Sequence, residues 1–131
     1  MISVDRDERF DVPLIVHPLG NGISAAEIRL RFDTATVELV SMTPGTLLGA
    51  DPLVVIQSIN DQTGEAQFVL ARKGATAVPT EMGVLLTLRW RTLQGASVGF
   101  HSVQLAQADL VDEAFAFIPD VETKSLLFDV K

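Results

Sequence analysis

The sequence predicts an all-β fold of two packed sheets, and three observations carry that prediction. Apolar residues recur at alternate positions, most clearly at Ala26, Ile28, Leu30 and Phe32, with Ala25, Glu27, Arg29 and Arg31 between them. This period of two marks a strand with one side buried and one in water. About eight or nine such stretches follow one another at spacings of roughly 8–15 residues, divided by Gly, Pro, Asn and Asp turn signals. A helical period over twelve residues or more is convincing nowhere outside Ser102–Phe117, where Ala and Asp are mixed, so helix content should be small. A chain of 131 residues in this pattern is expected to be one domain spanning residues 1–131. Spacing alone does not separate a jelly roll from an immunoglobulin-type sandwich.

In chain order, Ile2–Val4 reads as a short first strand before the charged turn DRDER. Phe10, Val12, Leu14 and Val16 then alternate with Asp11, Pro13, Ile15 and His17. Proline cannot donate to a ladder, so Pro13 belongs at a sheet edge or a bulge. Turn residues Pro18–Gly22 deliver the chain into the strand of Ala26–Phe32, which Asp33-Thr34 ends by hydrogen-bonding to its own backbone. Val37–Met42 is the fourth strand, stopped by Pro44-Gly45, and TLLGADP is a loop with a small apolar anchor. Val54–Ile59 is the fifth, apolar on both parities, so its facing is open. Asn60–Gly64 is a hairpin turn. In Glu65–Ala71 the residues Ala66, Phe68 and Leu70 point inward, with Gln67, Val69 and Ala71 outward. A loop over Gly74–Gly83 precedes Val84, Leu86, Leu88 and Trp90, which alternate with Leu85, Thr87, Arg89 and Arg91. Val98–Leu105 and Lys124–Val130 are the last two strands, and Ala106–Glu122 between them reads as loop with a short apolar insert at Phe115–Ile118.

Composition excludes several functions. With 47% apolar and 21% charged residues, this is an ordinary globular chain, long enough to bury nearly ~70% of its unfolded surface. A net charge of −7 argues against nucleic acid or an anionic membrane as partner. No apolar run approaches the ~20 residues of a membrane span. There is no cysteine, hence no disulfide framework or thiolate metal site. The outward arginine pairs Arg29/Arg31 and Arg89/Arg91 read as solvated strand faces that also protect edges.

Catalytic chemistry finds no support. His17 and His101 stand alone, no nucleophile elbow, zinc-helix or P-loop motif is present, and the acids fall mostly in turns. The acidic turn of Asp5, Asp7 and Glu8 offers oxygens to Ca²⁺ but lacks an EF-hand pattern, and reads as a solvated charged turn. A carbohydrate-binding module is the serious alternative, since many share a sandwich and stack sugars on exposed aromatics. There is no Tyr, Trp90 shares parity with Leu86 and Leu88, and Phe10, Phe32 and Phe68 lie on inward parities. Only Phe115 and Phe117, on a loop, remain for a sugar platform.

The central stretch ISAAEIRLRFDTATVELVSMTPG resembles a segment of cohesin modules, the receptor domains of cellulosome scaffolds. The matching positions are Ile28, Leu30, Phe32, Asp33, Val37, Leu39, Val40, Met42, Pro44, Gly45, Leu47 and Leu48, while Phe32 and Thr34 replace the usual Tyr and Pro. Gly64–Lys73, Gly83–Leu93, Ala108–Asp112 and Phe117–Asp120 are similar to further segments of that family, in the same order. The resemblance implies a nine-stranded jelly roll, non-catalytic and monomeric by itself. Such a module binds a dockerin, or another protein module, through one flat sheet face, with calcium carried by the dockerin and no cofactor in this chain. It implies a secreted or cell-surface location within a longer protein. Carried over position by position, the contact residues are Ala25, Glu27, Val69, Ala71 and Asp112, with Arg29 and Arg72 as neighbours on the same face. Ala25 stands where family members often carry Asn.

Overall fold

A computed structural model of the chain describes residues 2–18, 22–49, 51–73, 82–112, 116, 118 and 126–131. Among them run nine strands: β1 (Ile2–Val4), β2 (Arg9–Val16), β3 (Ala25–Arg31), β4 (Val37–Pro44), β5 (Leu53–Asn60), β6 (Glu65–Ala71), β7 (Gly83–Thr92), β8 (Gly99–Val111) and β9 (Leu126–Val130). The described residues contain no helix. The strands form a six-stranded sheet in the order β1-β9-β8-β3-β6-β5 and a three-stranded sheet in the order β2-β7-β4. Every pairing is antiparallel except that of β1 with β9. This is the expected jelly-roll sandwich.

The alternation read in β3, β6 and β7 is the alternation that builds the core. Ala26, Ile28 and Leu30 of β3 and Ala66, Phe68 and Leu70 of β6 are buried, facing Leu86, Leu88 and Trp90 of β7. Each large side chain taken from water in this way contributes about 1.5–3 kcal/mol. Trp90 is 0% exposed and meets Phe32 edge to face, with ring centroids 5.2 Å apart. On the other flank Phe10 packs on Phe128 at 5.7 Å. Leu47 and Leu48, the apolar anchor of the loop after β4, are buried too.

Local chemistry fixes the corners. Asp33 ends β3 as expected: its carboxylate accepts from Ala35 N (2.9 Å) and Thr36 Oγ1 (2.9 Å), and its carbonyl from Thr36 N and Val37 N. In the β5–β6 hairpin Asn60 Oδ1 accepts from Gln62 N and Thr63 N, and Gly64 takes a φ of +75°. A Cβ at Gly64 would lie 2.1 Å from the Phe32 carbonyl oxygen, so this turn requires glycine both for its dihedral and for its space. Buried Thr92 ties the first turn down: its hydroxyl accepts from Glu8 N at 3.0 Å and donates to Asp5 O at 2.5 Å.

Two stretches depart from the sequence reading. Ala106–Val111 is not loop; β8 runs on through it, paired with β3. Arg29 pairs with Gln107 and Leu30 with Leu105, which leaves Ala106 as an extra residue in a β-bulge. The bulge shifts the inward parity from Val103 and Leu105 to Ala108 and Leu110, and the simple alternation is lost at that point. The facing of β5, open from sequence, resolves as an edge strand: Val54 pairs with Leu70 on the inner side, Ile56 with Val69 on the outer side, and Val55 is the bulge between them. Leu53–Ser58 are all exposed. The loop at 74–81, Phe115, Phe117 and residues 124–125 lie outside the described residues.

The four sheet edges are not alike. β1 has three residues, β2 carries Arg9, Asp11 and Pro13, and β4 carries Glu38, a bulge at Val40 and Pro44 at its end. These are the usual protections, and Pro13 sits at an edge as predicted. β5 has eight residues with no charge and no proline, and among the described residues its one protection is the bulge at Val55.

Candidate partner-binding face

Cross-strand partners share a face, so the register of β8, β3, β6 and β5 lays out the outer surface of the larger sheet row by row. The first row reads Val111, Ala25, Ala71, Leu53, and the second Asp109, Glu27, Val69, Ile56. The third reads Gln107, Arg29, Gln67, Ser58, and the fourth Gln104, Arg31, Glu65, Asn60. One end of the surface is therefore small and aliphatic, the other amide and guanidinium. Leu53 and Ile56 stand 48% and 40% exposed at its β5 margin.

Five of the seven residues named from sequence, Ala25, Glu27, Arg29, Val69 and Ala71, come together in the first three rows. Glu27 is at the centre of a small polar lattice. Its Oε1 accepts from Gln67 Nε2 at 2.9 Å and lies 3.5 Å from Arg29 Nε, while across β8 the Gln107 amide donates to Asp109. Asp112 stands just past β8, next to Val111 of the first row, and its Oδ1 accepts from Ala116 N at 3.0 Å. Arg72 does not share the parity of Val69 and Ala71. It lies one residue past β6, on the parity of Leu70, where its N donates to Ser24 O and its Nε is buried.

Sequence reasoning passed over Leu53, Ile56, Asp109 and Val111. Asp109 and Val111 were hidden by the Ala106 bulge, and the β5 pair by a strand apolar on both parities. It also passed over Phe100, which is 73% exposed on the outer side of β8 and is the one strongly exposed aromatic ring among the described residues. His101 stacks on Phe128 at 5.6 Å and its Nε2 lies 2.7 Å from Ser97 O, a structural setting.

The outer surface of the smaller sheet is built differently. Arg89 pairs with Asp11 through two bonds of 2.8 and 3.1 Å, and Arg91 reaches both Glu38 at 2.5 Å and Asp7 at 2.8 Å. The hydrogen bonds from Arg89 hold the Asp11 carboxyl below its usual range, and Asp11 in turn raises Arg89; Glu38 does the same for Arg91. Asp33 is also lowered, first by the Ala35 amide and then by the Thr36 hydroxyl. In the acidic turn, Asp7 at φ 59° is taken by Arg91, and Glu8 Oε2 accepts from Asp5 N at 2.6 Å. These oxygens are committed internally, and the described residues contain no cluster of three or more acids or histidines placed for a metal.

The comparisons agree with this architecture. No curated protein matches the chain by sequence. Among solved structures, the third cohesin of ScaC from Acetivibrio cellulolyticus, in complex with the ScaB dockerin, superposes with a TM-score of 0.78 at 20% identity, covering 99% of each chain. The OlpA cohesin of Clostridium thermocellum, also in a cohesin–dockerin complex, gives 0.81 at 10% identity over 99% of this chain and 94% of that one. A non-cellulosomal cohesin of the archaeon Archaeoglobus fulgidus gives 0.77 at 14% identity over 99% and 86%. The model of the cohesin domain matches residues 2–114, and with that match over most of its length the chain belongs to the cohesin domain family.

Proposed function

We propose that this domain is a non-catalytic receptor that binds a dockerin through the outer surface of β8, β3, β6 and β5. The observation that carries the reading is the aliphatic end of that surface. Ala25, Ala71 and Val111 leave it low, Val69, Leu53 and Ile56 make it apolar, and charge begins only at Glu27, Asp109 and Arg29. Specific interfaces combine an apolar contact area with polar groups at its margin, and one of standard size buries about 1,600 Å² in total. The ScaC and OlpA structures, both solved with dockerins, support the choice of partner. Calcium then belongs to the dockerin, and the domain works outside the cell, secreted or at the surface, as a module of a longer chain.

The sugar-binding alternative lacks its main requirement. Trp90 is fully buried, and Phe100 stands without a second exposed ring beside it among the described residues.

The test is calorimetric titration against a panel of calcium-loaded dockerins. Ala25→Arg or Val69→Glu puts bulk and charge in the apolar part of the surface, and is expected to abolish binding while the melting temperature barely moves. Glu27→Lys is expected to weaken binding less, and in a salt-dependent way. Unchanged affinity for both Ala25→Arg and Val69→Glu sinks the assignment of this surface.

A further inference from the structure

We propose that the hollow at the polar end of this surface receives an acidic side chain of the partner, gripped by Arg29 and Arg31. The inference rests on the partner-binding reading above and adds the chemistry of one contact. The hollow, about 340 Å³, lies over the third and fourth rows, bordered by Arg29, Arg31, Ser58, Glu65, Gln67 and Gln107. Its β8 wall includes Ala106, the bulge residue, which offers only a methyl group between the outward glutamines Gln104 and Gln107.

The charges of the hollow are what select its occupant. Arg29 and Arg31 project from one strand on one side, roughly 7 Å apart along it. Each guanidinium has five N–H donors in a planar fork suited to a carboxylate. On the smaller sheet the equivalent pair, Arg89 and Arg91, is saturated by Asp11, Glu38 and Asp7. On β3 the internal acids do much less. Glu27 touches Arg29 only at 3.5 Å while also bonded to Gln67, and Glu65, opposite Arg31 in the register, makes no ion pair with it. Among the described residues Arg31 has no carboxylate within 4 Å.

Electrostatic context sharpens the point. The chain carries a net charge of −7, so its overall field disfavours an acidic group. A pair of under-engaged arginines beside an apolar contact is therefore a place where a partner carboxylate settles in one orientation. Charge complementarity of this kind sets register and partner choice more than raw affinity. The aliphatic rows hold the partner and the arginine hollow fixes how it lies.

The experiment uses the intact domain and a calcium-loaded dockerin that binds it, titrated by calorimetry at low and high salt. Arg29→Glu and Arg31→Glu are compared with Arg9→Glu, which makes the same change of net charge on the outer side of the smaller sheet. Both hollow variants are expected to weaken binding by at least about tenfold, with Arg9→Glu within about twofold, and the gap should narrow as salt screens it. Arg31→Gln, which removes charge without reversing it, should fall between wild type and Arg31→Glu. Reversing the partner's acids one at a time should reveal one whose Lys variant restores binding to Arg31→Glu. If Arg29→Glu and Arg31→Glu bind no worse than Arg9→Glu while Val69→Glu abolishes binding, the hollow is not used and only this inference falls. If Ala25→Arg and Val69→Glu are silent as well, the assignment of the whole surface falls with it.

Discussion

The two outer surfaces of the sandwich start from the same motif and end in opposite states. Each carries two arginines spaced by one residue on a central strand, Arg29/Arg31 on β3 and Arg89/Arg91 on β7. On the smaller sheet the neighbouring strands bring Asp11 and Glu38 alongside, and the first turn brings Asp7, so both guanidinium groups of the pair are matched. On the larger sheet the neighbours bring alanine, valine, glutamine and two acids, Glu65 and Asp109, neither of which pairs with an arginine, while Glu27 of β3 itself is shared between Gln67 and Arg29. A surface that has satisfied its own charges has little to offer a partner. One that has left them poorly matched beside exposed aliphatics has its recognition chemistry available, and that contrast tells the two surfaces apart where arginine content does not.

The comparison can be broken at the core first. Phe68 lies beneath the open surface and Leu88 beneath the closed one, and both are buried. Phe68→Ala and Leu88→Ala are each expected to cost about 2–5 kcal/mol in urea melts, because a cavity does not depend on what covers the sheet above it. A silent result for either would mean that its sheet is not packed as described. The arginines come next. Arg89→Ala removes a bidentate pair and leaves Asp11 alone, so it is expected to lower the melting temperature by a small, measurable amount, and Arg29→Ala by less. The reverse order would show that the open surface is the one holding the fold together.

The smallest effect separates two acids. Asp11 and Asp33 both have folded pKa values below their unfolded ones, so each contributes stability that is present above about pH 4 and lost as pH falls through the depressed value. Asp11 owes its shift chiefly to an exposed guanidinium, Asp33 chiefly to a backbone amide and a hydroxyl. Added salt should therefore shrink the acid-limb difference between wild type and Asp11→Asn, and leave that for Asp33→Asn nearly unchanged. Equal salt sensitivity would mean that Asp33 is held by charge after all.

What was legible in the sequence was whatever a strict period of two could carry. β3 and β6 alternate without interruption, and β7 does so from Leu86 to Trp90, so their inward residues, the burial of Trp90 and five of the surface residues could be read directly. Leu85, on the outward parity, is instead buried at an irregularity in the β2–β7 register. The Asp33 corner and the Asn60–Gly64 hairpin were legible because their side chains bond locally. The second half of β8 was not, because the single inserted residue Ala106 reverses the parity, and with it Asp109 and Val111. β5 was not, because an edge strand buries neither side well and so shows no alternation. Arg72 does not belong with the outward residues, because one residue past the end of β6 the strand parity turns it to the side of Leu70. Which strands lie side by side is a matter of long-range pairing, and no local pattern encodes it.

The β5 edge, which no other strand covers among the described residues, has a consequence for how the protein behaves in quantity. Seven of its eight residues are exposed, and the run Leu53–Ile56 is wholly aliphatic. Its outward backbone groups offer a template on which another extended chain can add hydrogen bonds without meeting a charge. Against such pairing stand the net charge of −7 and the bulge at Val55. As concentration or ionic strength rises, that repulsion is screened while the edge stays the same. A charge placed on β5 is thus expected to change solubility with little change in melting temperature, because the strand's side chains are exposed.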